Sequence, residues 1–524
     1  MTQTATTDAD PSPPLPRTLV DWLKVFGPGA VVASLTIGTG ELIFSTRGGA
    51  IFGYRILFVF TLILLLKWAL VLASARHMLL TGVHPYARML DLPGPRGWLP
   101  ILLLMIATVC LPIWISFHSG VIGNLMSWLT NTRDHFHGGM DYIWGAGVLL
   151  CVLALSATGG YEVMERVQMV IVAALVLCAG ASLMLYKPDW LQMAAGLIPQ
   201  PLSYPKWIET GHPDIAANSV WVETTRYVGV IGGAGFDYMA YTSWLREKRW
   251  GMLPRVASAS ELRAIAENPQ HAVRRWVPAP FIDSTISFAL VIGFSAVFIA
   301  SGAIILGPNE QVPNEKNMLN LQASLVTRIH PWLLPLYVAG ALFTMVGTLY
   351  GTIEIASSIS DEIVRSFVTD WTEERKRRLK RVVVAWCAPI AFSILAWLFM
   401  RQARLGEHVT ADAVEKPRML LSILTPVNLF TGVLSCGLIS FLNVWMDRRY
   451  LPRSLQLPTW LFGLNIFSGV VFLALGLRGY WEEKERTLVI GSATAAIPVS
   501  LLIANIVRRF TSNTASHSQQ GPTP

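Results

Sequence analysis

The chain has 524 residues, of which 53% are apolar and 14% charged, about half the charged share of a soluble domain. Together with a mean hydropathy of +0.47, this excludes a soluble globular protein and fits a polytopic membrane protein. The net charge of +8, from 41 basic and 33 acidic residues, does not call for a nucleic-acid partner and reads instead as basic cytoplasmic connections between spans.

In chain order, residues 1–20 read as a disordered polar tail rich in proline (Pro11, Pro13, Pro14, Pro16), with no cleavable signal peptide visible. A bilayer needs roughly 20 apolar residues per helix. On that rule about twelve spans are predicted, near 25–47, 52–76, 98–129, 142–159, 163–186, 221–245, 277–306, 331–365, 382–401, 419–446, 456–478 and 487–508. The third and eighth are long enough to tilt or to project past the bilayer. Residues 188–220 are expected to form an extracytoplasmic loop, and residues 511–524 a second disordered tail.

The first apolar run, from about Val25 to Gly49, is interrupted by Gly38-Thr39-Gly40-Glu41. Two glycines and a threonine weaken a helix there, and a carboxylate follows at once. Within lipid, freed backbone groups are tolerated only where protein or a cavity satisfies them, and an ionisable residue in a span marks a functional site by default. The sixth run is broken in a similar way at Gly232-Gly233-Ala234-Gly235-Phe236-Asp237.

Two such breaks, five spans apart, predict an all-α protein built as an inverted repeat of five plus five helices. Residues 21–187 and 221–450 form the repeats, and spans eleven and twelve (451–510) lie outside them. The two broken helices are expected to meet near the membrane midplane. Gly38, Thr39, Gly40, Glu41, Gly235, Phe236, Asp237 and Tyr238 are the candidate substrate-binding residues. A structural alternative stands beside each acid: an ion pair with Arg47 for Glu41, and capping of the second half-helix for Asp237.

Lys and Arg concentrate in the connections between spans two and three, six and seven, and eight and nine, and after spans ten and twelve. The bias places both termini in the cytoplasm. Inside the spans, Lys67 lies about 13 Å from the cytoplasmic end and Glu354 about 16 Å from the same side by helical rise. Their similar depth allows a buried pair, and a snorkelling lysine is a second structural reading. The functional reading is a proton or ion relay, which His118 in span three could join. Asp283 and Asp361 lie near span ends and are expected to be solvated. The five cysteines, Cys110, Cys151, Cys178, Cys387 and Cys436, show no CxxC and no metal spacing, and read as unpaired packing residues.

Gly27-Pro28-Gly29 followed by the break, and then Gly53-Tyr54, resembles the first helix of the Nramp family of proton-coupled divalent-metal transporters. Tyr161 to Val167 resembles the entry to that family's fifth helix, Gly196-Leu197-Ile198-Pro199 the segment after it, and Asn443 to Pro452 the end of its tenth. The resemblance implies a leucine-transporter-like fold, a substrate site between broken helices one and six, and alternating access.

The departures from the family fall on the chemistry. Its first break reads Asp-Pro-Gly-Asn, where this chain has Gly38, Thr39, Gly40 and Glu41. Its sixth helix carries Met-Pro-His, where this chain has Phe236, Asp237 and Tyr238. A soft sulfur ligand suits thiophilic metals, whereas carboxylate, carbonyl and hydroxyl oxygens suit Mg²⁺, Mn²⁺ or Ca²⁺. Glu41 and Asp237 are therefore the candidate metal ligands of a hard-cation site.

The expected function is secondary active transport of such a cation across the inner (plasma) membrane, with protons as the coupling ion and Lys67, His118 and Glu354 as candidate relay residues. Two alternatives remain open at this point: a symporter of a small organic solute, held beside Phe236, Tyr238 and Tyr241, and a non-transporting sensor or scaffold. Neither an enzyme motif nor a cofactor motif is present: there is no Walker loop, GxSxG or HExxH. The expected partners are the transported species and the bilayer, not nucleic acid.

Overall fold

The computed structural model of the chain describes residues 15–23, 25–38, 40–158, scattered positions from 163 to 181, 187–313, 334–368, 370–405, 424, 426–482 and 486–517. Every regular element among them is helical. The break expected in the first span is present. Helix α1 (Pro28–Thr36) starts on a proline, whose missing N–H would have been unpaired there anyway, and ends as Ile37 leaves helical geometry at ψ +65°. The chain resumes as a π-helical turn, Glu41–Ser45, that runs into α2 (Thr46–Phe52).

Helix α3 (Leu57–Thr81) is closed by Gly82 at φ +72°, whose N–H returns to the Met78 carbonyl. Helices α4 (Trp98–Leu129) and α5 (Met140–Thr158) follow. The sixth span is broken as expected into α6 (Val220–Val230) and α7 (Gly235–Lys248). Then come α8 (Pro278–Ser301), α9 (Leu334–Phe367) and α10 (Glu373–Leu405). A second π-helical turn, Leu429–Leu434, leads into α11 (Ser435–Tyr450), and α12 (Thr459–Glu482) and α13 (Arg486–His517) complete the bundle.

Eight helices among the described residues are long and apolar enough to cross a membrane. The halves of span six are each too short to be counted, and the expected fifth span, 163–186, lies mostly outside the described residues.

Burial sorts the helices into an inner and an outer set. Every residue of α1 is buried, and α1 packs against α7, α8 and α9. The most apolar stretches of α5, α10 and α12 are mostly half-buried or exposed instead, presenting Leu150, Val382, Trp386, Val470 and Leu477 outward. Apolar surface of that extent is what a bilayer covers.

Two buried acids differ from expectation. Asp283 is not solvated but fully buried on α8. Its carboxylate accepts the Gly27 N–H at 2.9 Å, the Gly29 N–H at 2.8 Å and the Tyr241 hydroxyl at 2.9 Å. The start of α1 has N–H groups with no partner inside the helix, and a carboxylate there satisfies them and complements the helix dipole. Asp361 is also buried, and accepts the Trp371 indole N–H at 3.0 Å. Cys110, Cys151, Cys387 and Cys436 are unpaired as expected, whereas Cys178 lies outside the described residues.

Candidate functional site

The break in span six depends on two glycines. Gly232 and Gly233 stand at φ +77° and +89°, a region that a residue with a Cβ enters only with strain. The turn they make frees the backbone at the end of α6, and side chains take up several of the freed groups. The Lys67 ammonium, brought in on α3, donates to the carbonyls of Val228 at 3.0 Å, Ile231 at 2.6 Å and Gly233 at 2.6 Å. The Tyr238 hydroxyl donates to the Gly232 carbonyl. The Gly232 N–H donates to Glu41 Oε1 at 2.8 Å, so the break of span one closes directly on the break of span six. Asp237 accepts the Ala234 N–H at 2.6 Å and caps α7, the structural alternative weighed for it.

Two ion pairs that the sequence allows as structural alternatives are not formed. Lys67 does not meet Glu354, because the carbonyls of the break supply all three acceptors that an ammonium can use. Glu354 instead takes Lys380 of α10 at 2.7 Å and the Ser156 hydroxyl of α5 at 2.7 Å, so it ties α9 to the outer helices α5 and α10. Glu41 does not pair with Arg47, since residues six apart lie on different faces of a helix. Arg47 turns to Glu223 at 2.5 Å and to the Pro313 carbonyl at 3.0 Å. Glu223 is buried and also accepts the Tyr227 hydroxyl at 2.7 Å and Arg226 at 3.3 Å.

Between the two breaks lies a cavity of about 60 Å³. Span one contributes Thr36, Gly40 and Glu41, and α4 contributes Trp114 and His118. Val230, Gly233, Phe236 and Asp237 come from span six, Thr348 and Thr352 from α9, and Thr431 from the π-helical turn. The four threonines share one feature. Thr36 donates its proton to the Val32 carbonyl at 2.9 Å, Thr348 to Thr344 at 3.1 Å, Thr352 to Thr348 at 2.9 Å and Thr431 to Val427 at 2.9 Å. A hydroxyl has one proton and two lone pairs, so these side chains have only acceptors left to offer. Glu41 Oε2 is buried and has no hydrogen-bond partner among the described residues.

Of the residues expected to bind substrate, the cavity therefore brings together Gly40, Glu41, Phe236 and Asp237, with His118 stacked on Trp114 in its wall at a centroid distance of 5.4 Å. Gly38 and Gly235 permit close packing instead: a Cβ on Gly38 would collide with Thr348 Oγ1, and one on Gly235 with Ser435 Oγ. Tyr238 braces the break, and Thr39 lies outside the described residues.

Thr36, Trp114, Thr348, Thr352 and Thr431 were not anticipated. A signal for two of them existed in the stripe Thr344, Thr348, Thr352, which puts three hydroxyls on one face of an apolar helix. Among the described residues no group of three or more His, Cys, Asp or Glu side chains could enclose a metal ion. A cation in this cavity would be met by the carboxylates of Glu41 and Asp237 and a set of neutral oxygens.

The sequence profile of the natural resistance-associated macrophage protein-like family, Nramp, matches residues 29–401. The divalent metal cation transporter MntH of Listeria monocytogenes is 24% identical over 357 residues, covering 65% of this chain and 70% of that protein, and MntH of Listeria innocua matches to the same extent. Among solved structures, the manganese transporter of Eremococcus coleocola, bound to an aromatic bis-isothiourea compound, superposes with a TM-score of 0.64 at 16% identity. That match covers 95% of this chain and 97% of that one.

Proposed function

Since this chain belongs to the Nramp family, we propose that it carries a hard divalent cation, of the Mg²⁺ or Mn²⁺ kind, across the membrane by alternating access. The observation that carries this reading is Glu41, which lines the cavity beside threonines that offer only lone pairs and whose buried Oε2 has no hydrogen-bond partner among the described residues. Mg²⁺ gives up its water reluctantly and is usually held by one or two carboxylates with several waters retained. A buried water needs roughly 10–15 Å³, so a cavity of about 60 Å³ admits an ion with some of its hydration shell. Glu41 is the direct ligand, Asp237 a second negative charge on the same wall, and the threonine hydroxyls are acceptors for the ion or its waters. The missing thioether lowers the preference for soft metals.

The supporting comparison is that the relatives which match this chain are named divalent metal cation and manganese transporters. A proton gradient is the proposed driving force, with His118 the imidazole on the cavity wall. The proposed setting is the plasma membrane with both termini cytoplasmic, following the Lys/Arg bias. The proposed domains are repeats 21–187 and 221–450 followed by the added spans 451–510.

One observation favours a second reading. Trp114, His118 and Phe236 give the cavity an aromatic side, which an organic cation could use. Uptake of Mg²⁺, Mn²⁺ and Cd²⁺ into proteoliposomes, with and without an inward proton gradient, separates the readings. Saturable Mg²⁺ or Mn²⁺ uptake exceeding that of Cd²⁺, with acidification of the lumen, is expected. Exclusion of all three ions by folded protein would overturn the metal reading. Within it, Thr352→Val is expected to raise KM about tenfold with little change in maximal rate, the size of one lost oxygen contact near 1.4 kcal/mol.

A further inference from the structure

Lys67 is fully buried, and its ammonium makes all three of its hydrogen bonds to backbone carbonyls, those of Val228, Ile231 and Gly233. These oxygens belong to the C-terminal end of α6 and the unwound residues after it. A helix C-terminus carries partial negative charge. Converging carbonyls can replace the hydration shell of an alkali cation, and unwound carbonyls at a half-helix end coordinate ions in transporters with broken helices. The oxygens stand 2.6, 2.6 and 3.0 Å from the nitrogen, a spacing set for a small monovalent cation. Gly233 belongs both to this cage and to the wall of the cavity, so the two adjoin at that residue.

We propose that the carbonyls of Val228, Ile231 and Gly233 form an alkali-cation site that the Lys67 ammonium occupies permanently. The chain thus carries, covalently attached, the cation that a Na⁺- or K⁺-dependent transporter would have to recruit. Wild-type transport therefore needs no alkali ion, and removal of the ammonium opens the cage to one. With Glu41 and Asp237 charged, the lysine leaves one net negative charge around the two breaks. The proposal goes beyond divalent transport and does not depend on it, because it concerns binding at a different set of atoms.

The test is thermal unfolding of the purified full chain in NaCl, KCl and choline chloride at equal ionic strength, for wild type, Lys67→Ala, Lys67→Met and Lys67→Arg. Lys67→Ala leaves room for an ion, Lys67→Met fills that space, and Lys67→Arg keeps the charge. Wild type and Lys67→Arg are expected to melt at the same temperature in all three salts. Lys67→Ala is expected to gain several degrees in NaCl or KCl over choline, saturably with concentration, and to gain more than Lys67→Met. In proteoliposomes its divalent uptake is expected to fall at least tenfold in choline and to recover in the alkali salt that stabilises it.

Identical melting of Lys67→Ala in all three salts would overturn the proposal. So would a Lys67→Ala chain that fails to fold in every salt, since a filled cage would have rescued it. An alkali response in wild type equal to that of Lys67→Ala would place the ion elsewhere and overturn it as well. Because the melting readout needs no divalent ion, a chain that moves no Mg²⁺ or Mn²⁺ can still pass or fail this test.

Discussion

Glu41→Gln is expected to lower divalent-cation uptake at least 100-fold while leaving the folded bundle intact. Glutamine keeps the shape of the side chain and a carbonyl oxygen that can still accept the Gly232 N–H, the bond that joins the two breaks. What it loses is the charge and the free lone pairs of Oε2, replaced by an amide NH₂ that can only donate. A donor on the wall of the cavity would present a cation with the wrong polarity. The expected loss corresponds to about 2.7 kcal/mol, within the range for interactions with a charged group. Glu41→Asp keeps the charge at a shorter reach, and an intermediate loss near tenfold is expected. Uptake kinetics in proteoliposomes give the ratio, and a melting curve within a few degrees of wild type shows that the fold survives. Retention of full uptake by Glu41→Gln would remove Glu41 from the site.

The second large effect concerns stability. Glu223→Ala would strip the shared partner from Arg47, Arg226 and Tyr227 at once. Breaking a buried pair by removing one member costs about 3–5 kcal/mol, because the other charge stays buried without compensation. A drop in apparent melting temperature of roughly 5 °C or more is expected. Arg47 belongs to α2 and Glu223 to α6, so the pair holds the second half of span one against the first half of span six. The double variant Arg47→Ala with Glu223→Ala is expected to recover some of the loss, since it removes both charges. If Glu223→Ala melts like wild type, this contact does not hold the two half-helices together.

The fold was legible because its two decisive elements are written in residue type. Glycine pairs inside apolar runs announce broken helices, and the helices break after Thr36 and after Val230, beside those glycines. Glu41 was legible for a related reason: a carboxylate at mid-span has few structural uses. Lys67 was recognised as a charge that matters, but its partner was not. Reasoning from sequence matches charged side chains to one another, and the acceptors here are backbone carbonyls that exist only because α6 ends at Val230. Asp283 was missed for the same reason, since its main partners are the N–H groups of Gly27 and Gly29. The threonines of the cavity were invisible because a hydroxyl in a membrane helix normally bonds to the turn behind it. These four do so as well, and only the fold brings them to one cavity with Glu41.

The clasp between Asp283 and the start of α1 bears on how often the transporter visits its alternate state. Any swing of residues 28–36 away from α8 must pull the Asp283 carboxylate off two N–H groups. A hydrogen bond to a charged group is worth about 1.5–3 kcal/mol net. Losing the equivalent of one such bond would hold the swung conformer to roughly 0.6–7% of molecules at rest, within the range of about 0.1–10% usual for a minor state that a ligand can select. The resting bias would then be set at Gly27 and Gly29, more than ten residues upstream of Glu41 and at the far end of a rigid lever. A cation at the break would have to outweigh that bias by binding the rarer conformer more tightly.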